Sequence, residues 1–280
     1  MRLNESIMKV KLSTSQWTAR KADNEVSDEV DAKHGTVGAG TFNKKLAPAS
    51  FLAEIRAAYS ALDQFHKKMT TPWDDDGWRA LKCTAHPEYS EGVRKLKSAI
   101  RDAEDNLISN YARFIENEKI RLRGLFKADD YPKLTEIGEK WGVRIKIRTI
   151  DDEENVLLRI SDDALAEIKQ GIQEERDAAE QKTMSELWAR IYEPVKKLAD
   201  RLEEPELKGN KSLVDNIIDL VNLLPNLNVF DNPDLEIMRR EVEDKLCRHS
   251  VKKLKLDDDA FAETRDAARE IVDKMAGYMS

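Results

Sequence analysis

Between residues 89 and 127 apolar side chains recur at steps mostly of three and four, at Val93, Leu96, Ile100, Ala103, Leu107, Tyr111, Phe114 and Leu122, with no proline in the run. That spacing lays one stripe along a single long helix. A second stripe starts after Ser161, which with Asp162 and Asp163 makes an N-terminal cap. It continues through Leu165, Ile168, Ile172, Ala179, Leu187, Ile191, Val195, Leu198 and Leu202, with Pro194 expected to kink or restart the helix. Between the two lie "YPKLTEIGEKW", read as a short helix, and "GVRIKIRTI", "DDEEN" and "VLLRI", read as a β-hairpin with an acidic turn. Helices this long exceed the usual range of about 8 to 20 residues and predict coiled-coil-like pairing. The short connection favours an antiparallel helical hairpin over 89–204, with a small α-β-β insert, 128–160, at its tip.

The flanks are shorter in period. Residues 1–88 read as an α+β region. "IMKVKLS" predicts a strand and "NEVSDEVDAKHG" a short acidic helix closed by Gly35. A helix from Pro48 carries Leu52, Ile55, Tyr59, Leu62 and Phe65, and a strand falls at 78–84. After the linker "EEPELKGN", residues 205–280 hold three amphipathic helices near 211–224, 233–250 and 257–277. The predicted fold is therefore mainly α with a small β component, the hairpin joined to a helical C-terminal bundle.

Composition adds partners and compartment. The 280 residues include 54 acids and 47 bases, a net charge of -7, and a charged fraction of 36%, which describes a water-facing, ordered, helix-rich chain. No apolar run approaches the roughly 20 residues that span a bilayer, so no membrane partner is expected. The first residues lack the apolar stretch of a secretory leader. Cys83 and Cys247 are too few for a disulfide framework, and the expected location is the cytoplasm.

Against the acidic average, residues 119–149 hold nine cations and four acids. Alternation along "GVRIKIRTI" sends Val143, Ile145 and Ile147 to one face and Arg144, Lys146 and Arg148 to the other. With Arg121, Arg123, Lys127, Lys140 and Arg159 they form a basic tip that an acidic partner or a phosphate backbone would sense. The competing reading is a solvated strand face whose charges discourage edge pairing. A second basic stretch, Lys9, Lys11, Arg20 and Lys21 around Trp17, is a candidate for nucleic acid, with Trp17 as a stacking platform or as a packed core residue.

Other chemical signals are weak. "GTVGAGTFNKK" lacks the Lys-Ser/Thr ending and the preceding strand of a phosphate loop. Asp74, Asp75 and Asp76 in "WDDDGW" have carboxylates for a metal, but consecutive acids cannot all face one point, and the composition is that of a tight turn. Cys83 with His86 and Cys247 with His249 are spaced unlike a zinc finger or ribbon. No cofactor is expected and no catalytic constellation stands out.

The order "KLSTSQWTARK", "HG", "NKKL" and "TTPWDDDGWRAL", followed by two long helices, resembles a family of proteins carried by tailed phages and prophages, over about the first two-thirds of the chain. The resemblance implies neighbours among recombination or ATPase genes and carries no activity or residue roles. The functional expectation is a non-catalytic, phage-encoded interaction protein in the host cytoplasm, whose hairpin and basic tip bind a protein partner. The alternatives are a DNA-binding recombination or replication accessory and an inhibitor of a host defence complex. Apolar side chains at Met184, Trp188 and Tyr192, if uncovered, would also invite a second copy of the chain.

Overall fold

The computed structural model describes residues 3–150, 162–204, 212–254 and 256–278. In chain order the elements are α1 (Leu3–Ser6), β1 (Ile7–Ser15), β2 (Arg20–Ala22), α2 (Asn24–His34), β3 (Asn43–Lys45), α3 (Ala53–Met69), β4 (Thr71–Pro72), β5 (Arg79–Lys82), α4 (His86–Leu122), β6 (Gly142–Thr149), α5 (Asp162–Leu202), α6 (Ser212–Leu227), α7 (Pro233–Leu246), α8 (Val251–Leu254) and α9 (Asp258–Ala276). The protein is mainly helical, as the sequence pattern predicts. It divides into two compact units that interleave along the chain: Met1–Lys11, Lys67–Tyr89 and Lys146–Ser280 form the first, Leu12–His66 and Ser90–Ile145 the second.

In the first unit α5 packs against α9 and α6, and α7 packs against both of these. The core is aliphatic: Leu187, Ile191, Val195, Leu198 and Leu202 of α5 meet Ile217, Val221 and Leu224 of α6, Met238 and Val242 of α7, and Ile271 and Met275 of α9. Pro194 lies inside α5, yet the helix is continuous across it. The packed residues on both sides of the ring hold the helical path that the missing N–H weakens. Caps set the ends of the others. The Asn232 side chain accepts from Leu235 N ahead of α7, and that of Asp257 from Ala260 N ahead of α9.

The expected helical hairpin is not confirmed. Neither unit contains a hairpin of α4 with α5: α4 beyond its first turn belongs to the second unit and α5 to the first. Trp188 is buried, stacked on Tyr278 at 4.4 Å between ring centroids, and Met184 and Tyr192 pack against the same core. Trp188 is thus covered from within the chain, while Met184 and Tyr192 stay partly exposed.

A four-stranded sheet runs in the order β4-β5-β1-β6. β1 pairs antiparallel with β5, from Ile7 opposite Lys82 to Val10 opposite Arg79, and β5 pairs antiparallel with β4. Thr183 Oγ, buried on α5, donates to Pro72 O at 2.7 Å and ties that helix to β4. Ile7, Trp73, Ala80, Ile150, Ala179 and Val229 make a second, smaller core. β6 lies beside β1; the expected hairpin partner "VLLRI", the turn "DDEEN" and Arg159 lie outside the described residues.

The second unit is built around rings. Phe114 of α4 stacks on Phe51 at 3.8 Å and meets Trp17, Tyr111 and Tyr131 edge-on or tilted at 5.7 to 6.4 Å. Gly92 of α4 gives room to Phe65 of α3, because a Cβ there would sit 2.1 Å from Phe65 Cζ. The segment "YPKLTEIGEKW" is not an α-helix. A short 3-10 turn, Ala128–Asp130, precedes it, and within it one forms at Gly138–Lys140. Pro132 has no N–H to donate, and Tyr131 before it is extended, as a residue preceding proline prefers to be.

Candidate functional site

The sequence-derived cations divide into those used internally and those left at the surface. In the first unit Lys9 is buried, its ammonium 3.5 Å from Glu175 Oε1 and 5.7 Å from the Trp73 ring centre. Lys11 Nζ donates to Asp76 O at 2.6 Å. In the second unit Trp17 is buried against Tyr111 and Phe114, which makes it a core residue and removes the stacking platform.

Lys44 of β3 organises the ionic part of the second unit. It is 2% exposed, and its ammonium donates to Asp23 Oδ2 at 2.8 Å and Leu125 O at 2.9 Å and lies 2.5 Å from Asp130 Oδ2. Burial alone would lower the Lys44 pKa, but the hydrogen bonds that the ammonium donates to the Asp130 and Asp23 carboxylates outweigh it and hold it above its ordinary value. Asp130 also pairs with Lys21 at 2.9 Å. Burial pushes its pKa up, the two lysines push it down, and the net direction is down. Lys127 pairs with Glu25 at 2.7 Å, and Arg121 pairs with buried Glu118 while donating to Lys45 O at 2.8 Å. Lys21, Lys127 and Arg121 thus fasten the unit together. Arg123 is exposed in the left-handed region, φ 49°, as the residue that stops α4.

What remains open lies along β6. Arg144, Lys146 and Arg148 are exposed, and none pairs with an acid among the described residues; Arg148 rests over the Trp78 ring at 4.8 Å. Their common side is set by the alternation of one continuous strand. The opposite side departs from expectation: Val143 and Ile145 are half-buried, but Ile147 is 50% exposed. Arg20 and Lys140 are likewise exposed.

The other chemical candidates resolve as structure. Asp74 Oδ1 accepts from Trp78 N at 3.0 Å, Asp75 pairs with Lys182, and Gly77 takes φ 85°, so "WDDDG" is a tight turn in which the Asp74 and Asp75 carboxylates have separate partners. Cys83 and Cys247 are free thiols, and burial pushes that of Cys247 up to about 11. Among the described residues no group of three or more His, Cys, Asp or Glu is placed to hold a metal, and no helix is long and apolar enough to cross a membrane.

Sequence reasoning missed a cleft of 450 Å³ in the second unit, between one face of α4 and the start of β6. Arg94, Lys97, Arg101 and Glu104 line it at steps of three and four, with Val93 and Ile100 beneath and Trp141 to Val143 opposite. Glu104 accepts from Tyr59 Oη at 3.1 Å; burial raises its pKa, and the Tyr59 bond only partly offsets this. The spacing was visible in the sequence, but the return of Trp141 to α4 was not. Compared with protein-family models, curated proteins and solved structures, the chain matches none.

Proposed function

We propose that this chain is a non-catalytic interaction protein that holds an acidic segment of a protein partner on the cationic side of β6, and that it acts in the host cytoplasm as the product of a phage-borne gene. The observation that carries the reading is the row Arg144, Lys146 and Arg148, exposed and without an acidic partner among the described residues, in a chain of net charge -7. Such a row attracts anions over roughly 8 Å at physiological salt. A protein segment fits it better than DNA. Five of the twelve candidate cations that would have tracked a phosphate backbone, Lys9, Lys11, Lys21, Arg121 and Lys127, are engaged within the protein, and Trp17 is packed. A nucleic-acid accessory role would call for a longer open track.

The test is affinity capture with mass spectrometry from the native host, wild type against Arg144→Glu/Lys146→Glu/Arg148→Glu. The variant should stay folded, each exposed change costing at most about 0.5 kcal/mol. It should lose a specific acidic protein that the wild type retains at low salt and releases at high salt. A folded variant that keeps every partner would overturn the reading. The identity of the captured protein separates a replication role from inhibition of host defence.

A further inference from the structure

We propose that the cationic row of β6 is held, in the absence of another partner, by the acidic face of α5 from a second copy of this chain, and that two copies close into a reciprocal dimer. The inference rests on the reading of that row as a surface for an acidic protein segment, and it names one such segment. On α5, Asp163, Glu167, Gln170, Glu174 and Asp177 follow one another at steps of four and three, which sets them on a single face of the helix. All four acids are exposed, and none forms an ion pair with a described residue. Glu174 and Asp177 accept from Gln170 and Gln173, at 2.8 and 2.7 Å. The cations of this stretch, Lys169 and Arg176, fall on the opposite side of the helix.

Row and face match in sign and in length. Arg144 to Arg148 spans about 13 Å at about 3.3 Å per residue of strand, and Asp163 to Asp177 about 21 Å at 1.5 Å per residue of helix. The whole row therefore fits within the length of the face. Lys146 and Arg148 belong to the same unit as α5, yet no ion pair among the described residues joins row and face within one chain. Between two chains they can meet, and because each copy carries both, the pairing is reciprocal and closes at two. The net charge of -7 opposes approach at long range, but that repulsion is screened over roughly 8 Å at physiological salt, while charges in contact are screened far less. The other acidic helix, α2, fits the row less well. Its Glu25 pairs with Lys127 and its Asp31 accepts from Thr36 and Gly38, and the adjacent Asp28 and Glu29 diverge by about 100° around the axis.

The experiment is analytical sedimentation of the whole chain at micromolar concentration. The wild type should sediment as two copies in low salt and as one in high salt. Arg144→Glu/Lys146→Glu/Arg148→Glu and Asp163→Lys/Glu167→Lys/Glu174→Lys should each weaken pairing at least about tenfold. An equal mixture of the two should pair again, because opposite charges then meet at both contacts. As a readout that needs no variant, carbodiimide should couple Lys146 of one wild-type copy to Glu167 or Glu174 of the other, seen as a cross-link between isotope-labelled and unlabelled chains. The proposal is overturned if the wild type is a single copy in low salt, if it grows beyond two copies, or if the pair yields no such cross-link. It is equally overturned if either folded variant pairs like the wild type, or if their mixture stays unpaired. A single-copy wild type that still loses its captured partner when the β6 row is reversed sinks the dimer alone. A wild type that pairs as described, while the reversed row keeps every captured partner, sinks the earlier reading alone.

Discussion

The two units solve the same problem with different materials. The α5, α6, α7 and α9 core is almost wholly aliphatic, so its stability comes from non-directional removal of apolar area from water, about 25 cal/mol per Å². The second unit gathers Trp17, Phe51, Tyr111, Phe114, Phe126 and Tyr131 into one cluster and sets a buried lysine between two aspartates nearby. Rings need particular angles and buried charges need particular partners, so this unit is specified more sharply and fails more abruptly. Burial without a partner is visible in it too: the Tyr131 hydroxyl has none, and desolvation pushes its pKa up to about 12.

The largest effect is expected at Phe114. Phe114→Ala removes the hub of the ring cluster and should cost about 3 to 5 kcal/mol. Hydrogen exchange should accelerate across α4 while the buried amides of α6 and α7 stay protected; equal acceleration in both would show that the units unfold together, and the contrast would fail.

Lys44→Met comes next. It leaves Asp23 and Asp130 without their ammonium and should cost on the order of 3 kcal/mol by chemical denaturation. Adding Asp23→Asn and Asp130→Asn should recover much of that loss. The sign with pH follows from the shifts. Asp23 and Asp130 are held below their ordinary 3.8, by the Lys44 hydrogen bond at Asp23 and, at Asp130, by the two lysines working against burial. Their contribution is present above that value and lost as pH falls through the folded pKa. Lys44, held above 10.5 despite burial, contributes below 10.5 and loses that contribution as pH rises through its folded pKa. Acid titration of the wild type should therefore show a loss below about pH 4 that the triple variant lacks in this part. Identical acid profiles would sink the ionic half of the comparison.

The smallest effect concerns packing between α3 and α4. Gly92→Ala places a methyl against the Phe65 ring. Overpacking of about 1 to 3 kcal/mol, less the helical gain of about 1 kcal/mol from replacing glycine, leaves a net loss near 1 kcal/mol. A variant more stable than the wild type would mean that the ring yields freely and that this unit is packed less sharply than proposed here.

Legibility differed between the units in the same way. In the first, periodicity found α6, α7 and α9 close to their observed ends, because an aliphatic stripe at helical spacing has one reading and Asn232 and Asp257 mark two of the starts. In the second, the same rules found α2 with its Gly35 stop and the stripe of α4. They misread the segment before β6, where Pro132 and the buried Tyr131, Ile137 and Trp141 form turns fastened by side chains. The candidate cations were all legible as residue types. Which were spent was not, because Lys21 and Lys127 meet Asp130 and Glu25 from positions 102 to 109 residues away.

By itself the sequence determined the class, the long helices, the strand alternation of β6 and the surplus of cations near it, since these depend on residue spacing over a turn or a strand pair. Only the tertiary structure decided that α5 packs on α6 and α9, that Trp17 and Trp188 are buried, and that Trp141 closes a cleft against α4. Those outcomes depend on which apolar faces and charges meet across long stretches of chain, and local spacing carries no record of such meetings.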